Sequence, residues 1–176
     1  YLTAEVSPSK IAPRHSGVVT VTLDSKRLKD MGLTQTSVFL GAFPGDRVSH
    51  EKELEVSAVL LPKFDNLTAS QLANAPRMNL STTELNLGAF NGKKKLKGEI
   101  IIRNDGKNTL KIKNLQMFTV GLQVSLNKQN LKPGETAKLK ITAEQRQLKN
   151  ARSKPRVLMI TNDPNLPKVT IKIITE

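Results

Sequence analysis

Residues 95–114 read KLKGEIIIRNDGKNTLKIKN, and the fold turns on this stretch. Leu96, Ile100 and Ile102 fall on one side of an extended chain, and Lys95, Lys97, Glu99 and Arg103 on the other, with Ile101 breaking the alternation. Successive side chains of a strand point to opposite faces, so the pattern predicts a strand with one buried face. Asn104-Asp105-Gly106 has turn chemistry: Asn and Asp bond nearby backbone, and Gly accepts conformations closed to other residues. Leu110 and Ile112 alternate with Lys111 and Lys113 in a second run. The two runs are expected to pair as a β-hairpin.

The same alternation recurs along the chain. Leu2, Ala4 and Val6 alternate with Thr3 and Glu5, and Val19, Val21 and Leu23 with Thr20 and Thr22. Asp24 or Ser25 is placed to cap a short helical turn through Leu28 to Met31, ended by Gly32. Val38–Phe43 and Leu54–Leu61 read as strands around the turn Pro44-Gly45-Asp46. Thr68-x-x-Gln71 has capping-box spacing and Pro76 blocks continuation, which predicts a short helix over 67–75. Met78–Leu87 opens the second half. Leu122–Leu126, Ala137–Ala143, Val157–Ile160 and Val169–Ile173 complete it. About seven strands in roughly 100 residues is the expectation for an Ig-like β-sandwich. Its core is expected to hold Ile100, Ile102, Ile112, Leu139, Ile141, Val157, Met159 and Ile171.

The two halves repeat at a fixed offset. Leu2 matches Leu122, Ile11 Leu131, Pro13 Pro133, Ser16 Thr136, Val19 Leu139, Val21 Ile141, Thr22 Thr142 and Asp24 Glu144, each pair 120 residues apart. Fixed-period similarity of this kind marks two copies of one structural unit. A six-residue echo, Leu40–Gly45 of Leu87–Gly92, implies another register and is outweighed by the longer match. The expected organisation is all-β: residues 1–66 as the later strands of a first Ig-like domain, 67–76 as a linker helix, and 77–176 as a complete Ig-like sandwich. Tyr1 matches Gly121, so the first copy is expected to lack counterparts of residues 77–120. Its apolar face is then left for upstream sequence, the second domain or self-association through the first half to cover.

Composition narrows the chemistry. The chain has 176 residues, no Cys, no Trp, one Tyr and five Phe. Disulfides, thiolate metal sites and thiol nucleophiles are excluded. The two imidazoles, His15 and His50, lie far apart in sequence, and no carboxylate pair has acid–base spacing. No metal, no cofactor and no enzymatic activity is expected. No apolar run has membrane-spanning length. Residues 1–75 carry 8 Lys/Arg and 8 Asp/Glu, whereas residues 76–176 carry 20 and 7, so the whole net charge of +13 belongs to the second half. Such a field favours an acidic partner.

The candidate anion-binding surface is Lys93, Lys94, Lys95, Lys97, Lys111, Lys113, Lys138 and Lys140, with Lys168 and Lys172 in the same basic set. Solvated strand faces and protected sheet edges explain most such lysines, and that reading is favoured over a docking surface. Gly88–Lys95 superficially resembles a phosphate loop, but the sequence after it is a strand rather than a helix. Single-strand nucleic-acid binders interleave aromatic platforms with basic residues, and this chain has few aromatics, so no nucleic acid is expected. Met117-Phe118 reads as a strand or core contact.

Four motifs carry a resemblance: Leu87–Gly92 (LGAFNG), Ile102–Gly106 (IRNDG), Leu131–Glu135 (LKPGE) and Thr161–Pro164 (TNDP). Together they resemble an Ig-like family of unassigned function from bacterial envelope proteins, similar to the Hydin-type and major-sperm-protein-type sandwiches. The resemblance implies a periplasmic or envelope setting, with a signal or lipid anchor upstream of Tyr1. Many such domains carry a Cys-x-Cys-like pair after the central hairpin. Leu115–Val120 contains no Cys, so no metal or redox role carries over. Two functions fit: a tandem Ig-like binding or scaffold module whose partner is another envelope protein, or an adhesion or polyanion-binding protein that uses the basic half on an acidic polymer.

Overall fold

A computed structural model describes residues 1–28, 30–151 and 153–176. The chain divides into two compact units, Tyr1–Leu60 and Leu61–Glu176.

In the first unit β1 (Leu2–Ser7) pairs antiparallel with β2 (Val18–Leu23), and β3 (Gly32–Phe39) with β4 (Glu53–Leu60). Asp24 does cap a helical turn, its carboxylate accepting from the Lys26 N–H at 3.0 Å, but the turn is a short 3-10 segment, Ser25–Arg27. Lys29, within the sequence-predicted turn, lies outside the described residues. Gly32 opens β3 at φ 110, a backbone conformation that a side chain resists, so the strand starts earlier than the apolar run from Val38 implies.

The second unit begins with the capping box anticipated from Thr68-x-x-Gln71. The Gln71 N–H donates to Thr68 Oγ1 at 3.2 Å and the Thr68 N–H to Gln71 Oε1 at 2.8 Å, fixing the start of α1 (Ala69–Ala73). Nine strands follow: β5 (Met78–Leu80), β6 (Glu84–Asn86), β7 (Lys95–Asn104), β8 (Leu110–Met117), β9 (Leu122–Leu126), β10 (Asn130–Leu131), β11 (Thr136–Glu144), β12 (Arg156–Thr161) and β13 (Lys168–Ile174). A short helix, α2 (Gln145–Leu148), follows β11. One sheet has the order β5-β7-β11-β9 and the other β10-β8-β12-β13-β6. The fold is an all-β sandwich. The count exceeds seven because 78–87 is interrupted at Ser81–Thr83, which sends β5 to one sheet and β6, parallel to β13, to the other, and because the two-residue β10 pairs with the end of β8.

All eight residues expected in the core are buried, with Ile100, Ile102, Leu139, Ile141, Val157, Met159 and Ile171 at 0% exposure and Ile112 at 4%. The expected hairpin is not formed. β7 and β8 belong to different sheets, and Asn104–Thr109 carries the chain between them. Long-range bonds decide this. The Asn104 carboxamide is fully buried and donates to the carbonyls of Asn108 and Leu131, both at 2.8 Å, while its oxygen accepts from the N–H groups of Arg77 and Gly106. Gly106 lies against the chain before β5: a Cβ there would come within 2.3 Å of the Arg77 nitrogen and 2.4 Å of the Ala75 oxygen. The turn residues were read correctly as a turn, but these tertiary contacts fix which sheet each arm joins.

The sequence repeat has a structural counterpart. β1 pairs with β2 as Leu2↔Leu23, Ala4↔Val21 and Val6↔Val19, and β9 pairs with β11 as Leu122↔Ala143, Val124↔Ile141 and Leu126↔Leu139. Each pairing maps onto the other by adding 120. The bond closing each pair follows suit: the Asp24 N–H donates to the Tyr1 carbonyl, and the Glu144 N–H to that of Gly121, both at 2.8 Å.

Ile141→Ala is expected to destabilise the protein by about 2–5 kcal/mol in urea denaturation, because a 0%-exposed side chain leaves a cavity. Asn104→Ala, of smaller volume change, is expected to cost about 1–3 kcal/mol for each backbone group left buried and unpaired. A neutral result for Asn104→Ala would remove the physical account of the sheet crossing.

Candidate functional site

The lysines fall where strand alternation puts them. β7 alternates exposed Lys95, Lys97 and Glu99 with inward Leu96, Gly98 and Ile100. β11 alternates exposed Lys138 and Lys140 with buried Leu139 and Ile141. The register sets Thr142 opposite Lys97, Glu99 opposite Lys140 and Ile101 opposite Lys138. Lys95, Lys97, Lys138 and Lys140 therefore share the outer face of the four-stranded sheet. Lys93 and Lys94 immediately precede β7, after the Asn91-Gly92 turn, whose residues both have positive φ. Lys111 and Lys113 are on β8, in the other sheet. Six of the eight candidates thus belong to or adjoin the four-stranded sheet, and two belong to the other.

Within the six, charge pairing is uneven. Lys95 Nζ lies 2.5 Å from Glu144 and Lys138 Nζ 3.5 Å from Glu99. Lys97 and Lys140 make no ion pair among the described residues, and both line a trough of about 610 Å³ with Gln123, Ser125, Thr142 and Glu99. Two unpaired ammonium groups flanked by amide and hydroxyl groups can take carboxylate, sulfate or phosphate oxygens.

The buried polar groups that sequence reading passed over are structural. Asp163 is fully buried, and its oxygens accept from the N–H groups of Met78 at 2.7 Å and Asn165 at 2.9 Å. Asn162 bridges the Lys111 N–H and the Thr109 carbonyl, and Thr161 Oγ1 donates to the Leu166 carbonyl. The tetrapeptide 161–164 therefore ties β5 and β8 to the loop after β12. The partner of Asp163 lies 85 residues away, beyond any local pattern. Phe118 is half-buried just past the end of β8, in neither the strand nor the core expected for it, and the Arg156 guanidinium stacks 4.7 Å from its ring centroid. Met117 ends β8 and is exposed.

Asp46, Asp105 and Glu135 are held below their ordinary values. Hydrogen bonds from the Arg103 and Asn79 side chains lower Asp105, and the Lys128 ammonium with the Lys132 backbone N–H lowers Glu135. The Ala42 backbone N–H and the Lys52 side chain lower Asp46. All three brace turns. Among the described residues no group of three or more His, Asp or Glu is placed to hold a metal, and no helix is long and apolar enough to cross a membrane.

Two sheets packed face to face over one core, with the basic strand face turned outward, define an Ig-like domain. Residues 76–175 match the model of the HYDIN/CFA65/VesB-like Ig-like domain, and the chain belongs to that family. Among solved structures the chain is similar to a protein of unknown function from Porphyromonas gingivalis W83, at 22% identity and TM-score 0.67, covering 98% of this chain and 79% of that one. That likeness shows the fold. It is also similar to the secreted serine protease VesC from Vibrio cholerae, at 10% identity and TM-score 0.39, covering 61% of this chain and 24% of that one, too distant to carry an argument. No curated protein matches the sequence.

A lowered carboxylate favours the folded state at pH values above its ordinary pKa and loses that contribution as pH falls through its folded value. The contribution of Asp105 and Glu135 is thus present above their ordinary values of 3.8 and 4.5 and lost on acidification below them. Neither group is buried, so the effect is small. The double variant Asp105→Asn, Glu135→Gln is expected to show a flatter decline of thermal stability between about pH 5 and pH 3 than the parent. An equally steep decline would assign acid sensitivity elsewhere.

Proposed function

We propose that the protein is a non-catalytic tandem Ig-like binding or scaffold module of the bacterial cell envelope. The observation that carries this reading is how the polar groups of the second unit are used. Asn104, Glu135 and Asp163 spend bonding capacity on backbone groups, and Asp105 on the neighbouring Arg103 and Asn79 side chains. What remains for a partner is strand surface. The envelope setting is supported by the motifs at 87–92, 102–106, 131–135 and 161–164.

Residues 1–66 act in this reading as the later strands of a first Ig-like domain, 67–76 as a linking helix and 77–176 as the complete domain. Support comes from the common register of β1–β2 and β9–β11 at offset 120. Fractionation of the producing bacterium, followed by lysine-directed cross-linking in intact cells, tests the proposal. A discrete adduct with an envelope protein is expected. Recovery of the protein in the cytosol would refute the setting.

A second reading is favoured by one observation, the unpaired Lys97 and Lys140 on a single face. In it the basic half binds an acidic polymer. Surface charges are screened over about 10 Å at 0.1 M salt, so binding to a heparin-like matrix should weaken steeply as salt rises. Lys97→Glu with Lys140→Glu should lower the eluting salt more than Lys111→Glu with Lys113→Glu. Equal shifts for the two pairs would mean that net charge alone, not this face, governs retention.

A further inference from the structure

The trough on the outer face of the four-stranded sheet is built from two rows of side chains that cross three strands. Register sets Lys97 of β7 beside Thr142 of β11, and Thr142 beside Gln123 of β9. The next row runs from Glu99 through Lys140 to Ser125. Neighbouring strands lie about 4.8 Å apart and alternate residues of one strand about 7 Å apart, so the six side chains frame a patch of about 10 by 7 Å. Thr142 and Ser125 are short beside their neighbours, and the trough of about 610 Å³ opens over the two rows. Gly98, Val124 and Ile141, which also line it, are the inward-facing residues between the rows.

Bonds beyond the patch fix what it offers. Glu144 takes both the Lys95 ammonium and the Gln123 amide, whose Nε2 donates to Glu144 Oε1 at 3.2 Å. Gln123 is left with its carbonyl oxygen, an acceptor. Glu99 does not pair with Lys140, directly opposite, but lies 3.5 Å from Lys138 Nζ, diagonally across the register. Its half-exposed carboxylate keeps accepting capacity. Lys97 and Lys140 each present an ammonium group, a donor only, and the hydroxyls of Ser125 and Thr142 give or take a hydrogen bond.

A ligand that satisfies this set carries separated anionic groups for the two lysines and hydrogen donors for Glu99 and Gln123. A polyphosphate or a nucleic-acid backbone is charged at every unit, which sets an anion against the Glu99 carboxylate, and no aromatic side chain lines the trough to stack a base. Protein partners fasten on aromatic or other large anchors in desolvated pockets, and none of the six outward side chains is apolar. Sugars that carry a carboxylate or sulfate beside free hydroxyls meet every requirement.

We propose that the trough binds an acidic polysaccharide. Lys97 and Lys140 take its carboxylate or sulfate oxygens, Glu99 and Gln123 accept from its hydroxyls, and Thr142 and Ser125 bond the ring substituents that lie over them. This rests on the acidic-polymer reading above and names the class of polymer.

The test titrates the full chain, at one fixed low salt concentration, with polymers matched in charged group but not in hydroxyls. Polygalacturonate is set against poly-glutamate, and dextran sulfate against poly(vinyl sulfate). The hydroxylated member of at least one pair should bind about tenfold tighter per charged group, as one or two added hydrogen bonds imply. An advantage in the carboxylate pair assigns a uronate, and in the sulfate pair a sulfated sugar. Thr142→Val with Ser125→Ala, and separately Glu99→Gln, should each cut that advantage to about threefold or less without weakening the hydroxyl-free polymer. An unchanged far-UV circular dichroism spectrum shows that each variant is folded. Equal affinities within both pairs, or tighter binding of the hydroxyl-free members, overturn the proposal and leave the acidic-polymer reading standing. An advantage that survives both variants also overturns it, because the hydroxyls are then read elsewhere. If none of the four polymers binds, the acidic-polymer reading falls as well.

Discussion

One buried carboxamide holds the second unit's sheets in relation. Asn104 ends β7, and its side chain reaches the chain before β5, the loop toward β8 and the carbonyl of β10. Its own backbone exchanges bonds with the turn before β11, accepting from Gly134 and donating to Glu135. A buried amide is costly to leave unpaired, and a low-dielectric interior strengthens each bond it makes. An apolar residue at this position packs but specifies nothing about direction. The carboxamide admits only the arrangement in which 77, 108 and 131 converge, which is the crossing from one sheet to the other. Gly106 completes it, because backbone occupies the place of a side chain.

Around that crossing the core follows from alternation. β7 and β11 send every second residue inward across a nine-residue register, and the buried residues of β8, β12 and β13 meet them from the opposite sheet. Val157–Ile160 is buried on both faces, as a continuous apolar run in a central strand implies. The first unit repeats the β9–β11 part of this design without the crossing.

What was legible in the sequence was whatever depends on short-range periodicity. The two-residue period placed the core, the Thr68/Gln71 spacing placed the helix cap, and the offset of 120 foretold a common register. What was not legible depends on distant partners. Asn104-Asp105-Gly106 has the same composition whether it closes a hairpin or crosses between sheets, and the deciding contacts lie at Arg77 and Leu131. The candidate lysines met the same limit. Alternation shows that Lys97 and Lys111 point outward, but sheet membership, a tertiary property, puts them on opposite faces.

The parallel pairing of β6 with β13 has a mechanical consequence. β6 lies near the start of the second unit and β13 at its end, with Glu84 beside Lys172 and Asn86 beside Ile174. Tension applied along the chain draws the two strands in opposite directions along their common axis. Their bonds, among them Lys172 N–H to Thr83 and Leu87 N–H to Ile174, then lie across the pull and are loaded together in shear, not opened one after another. An antiparallel pair drawn apart from one end unzips in sequence at low force. A pull along the chain is therefore resisted by these bonds together.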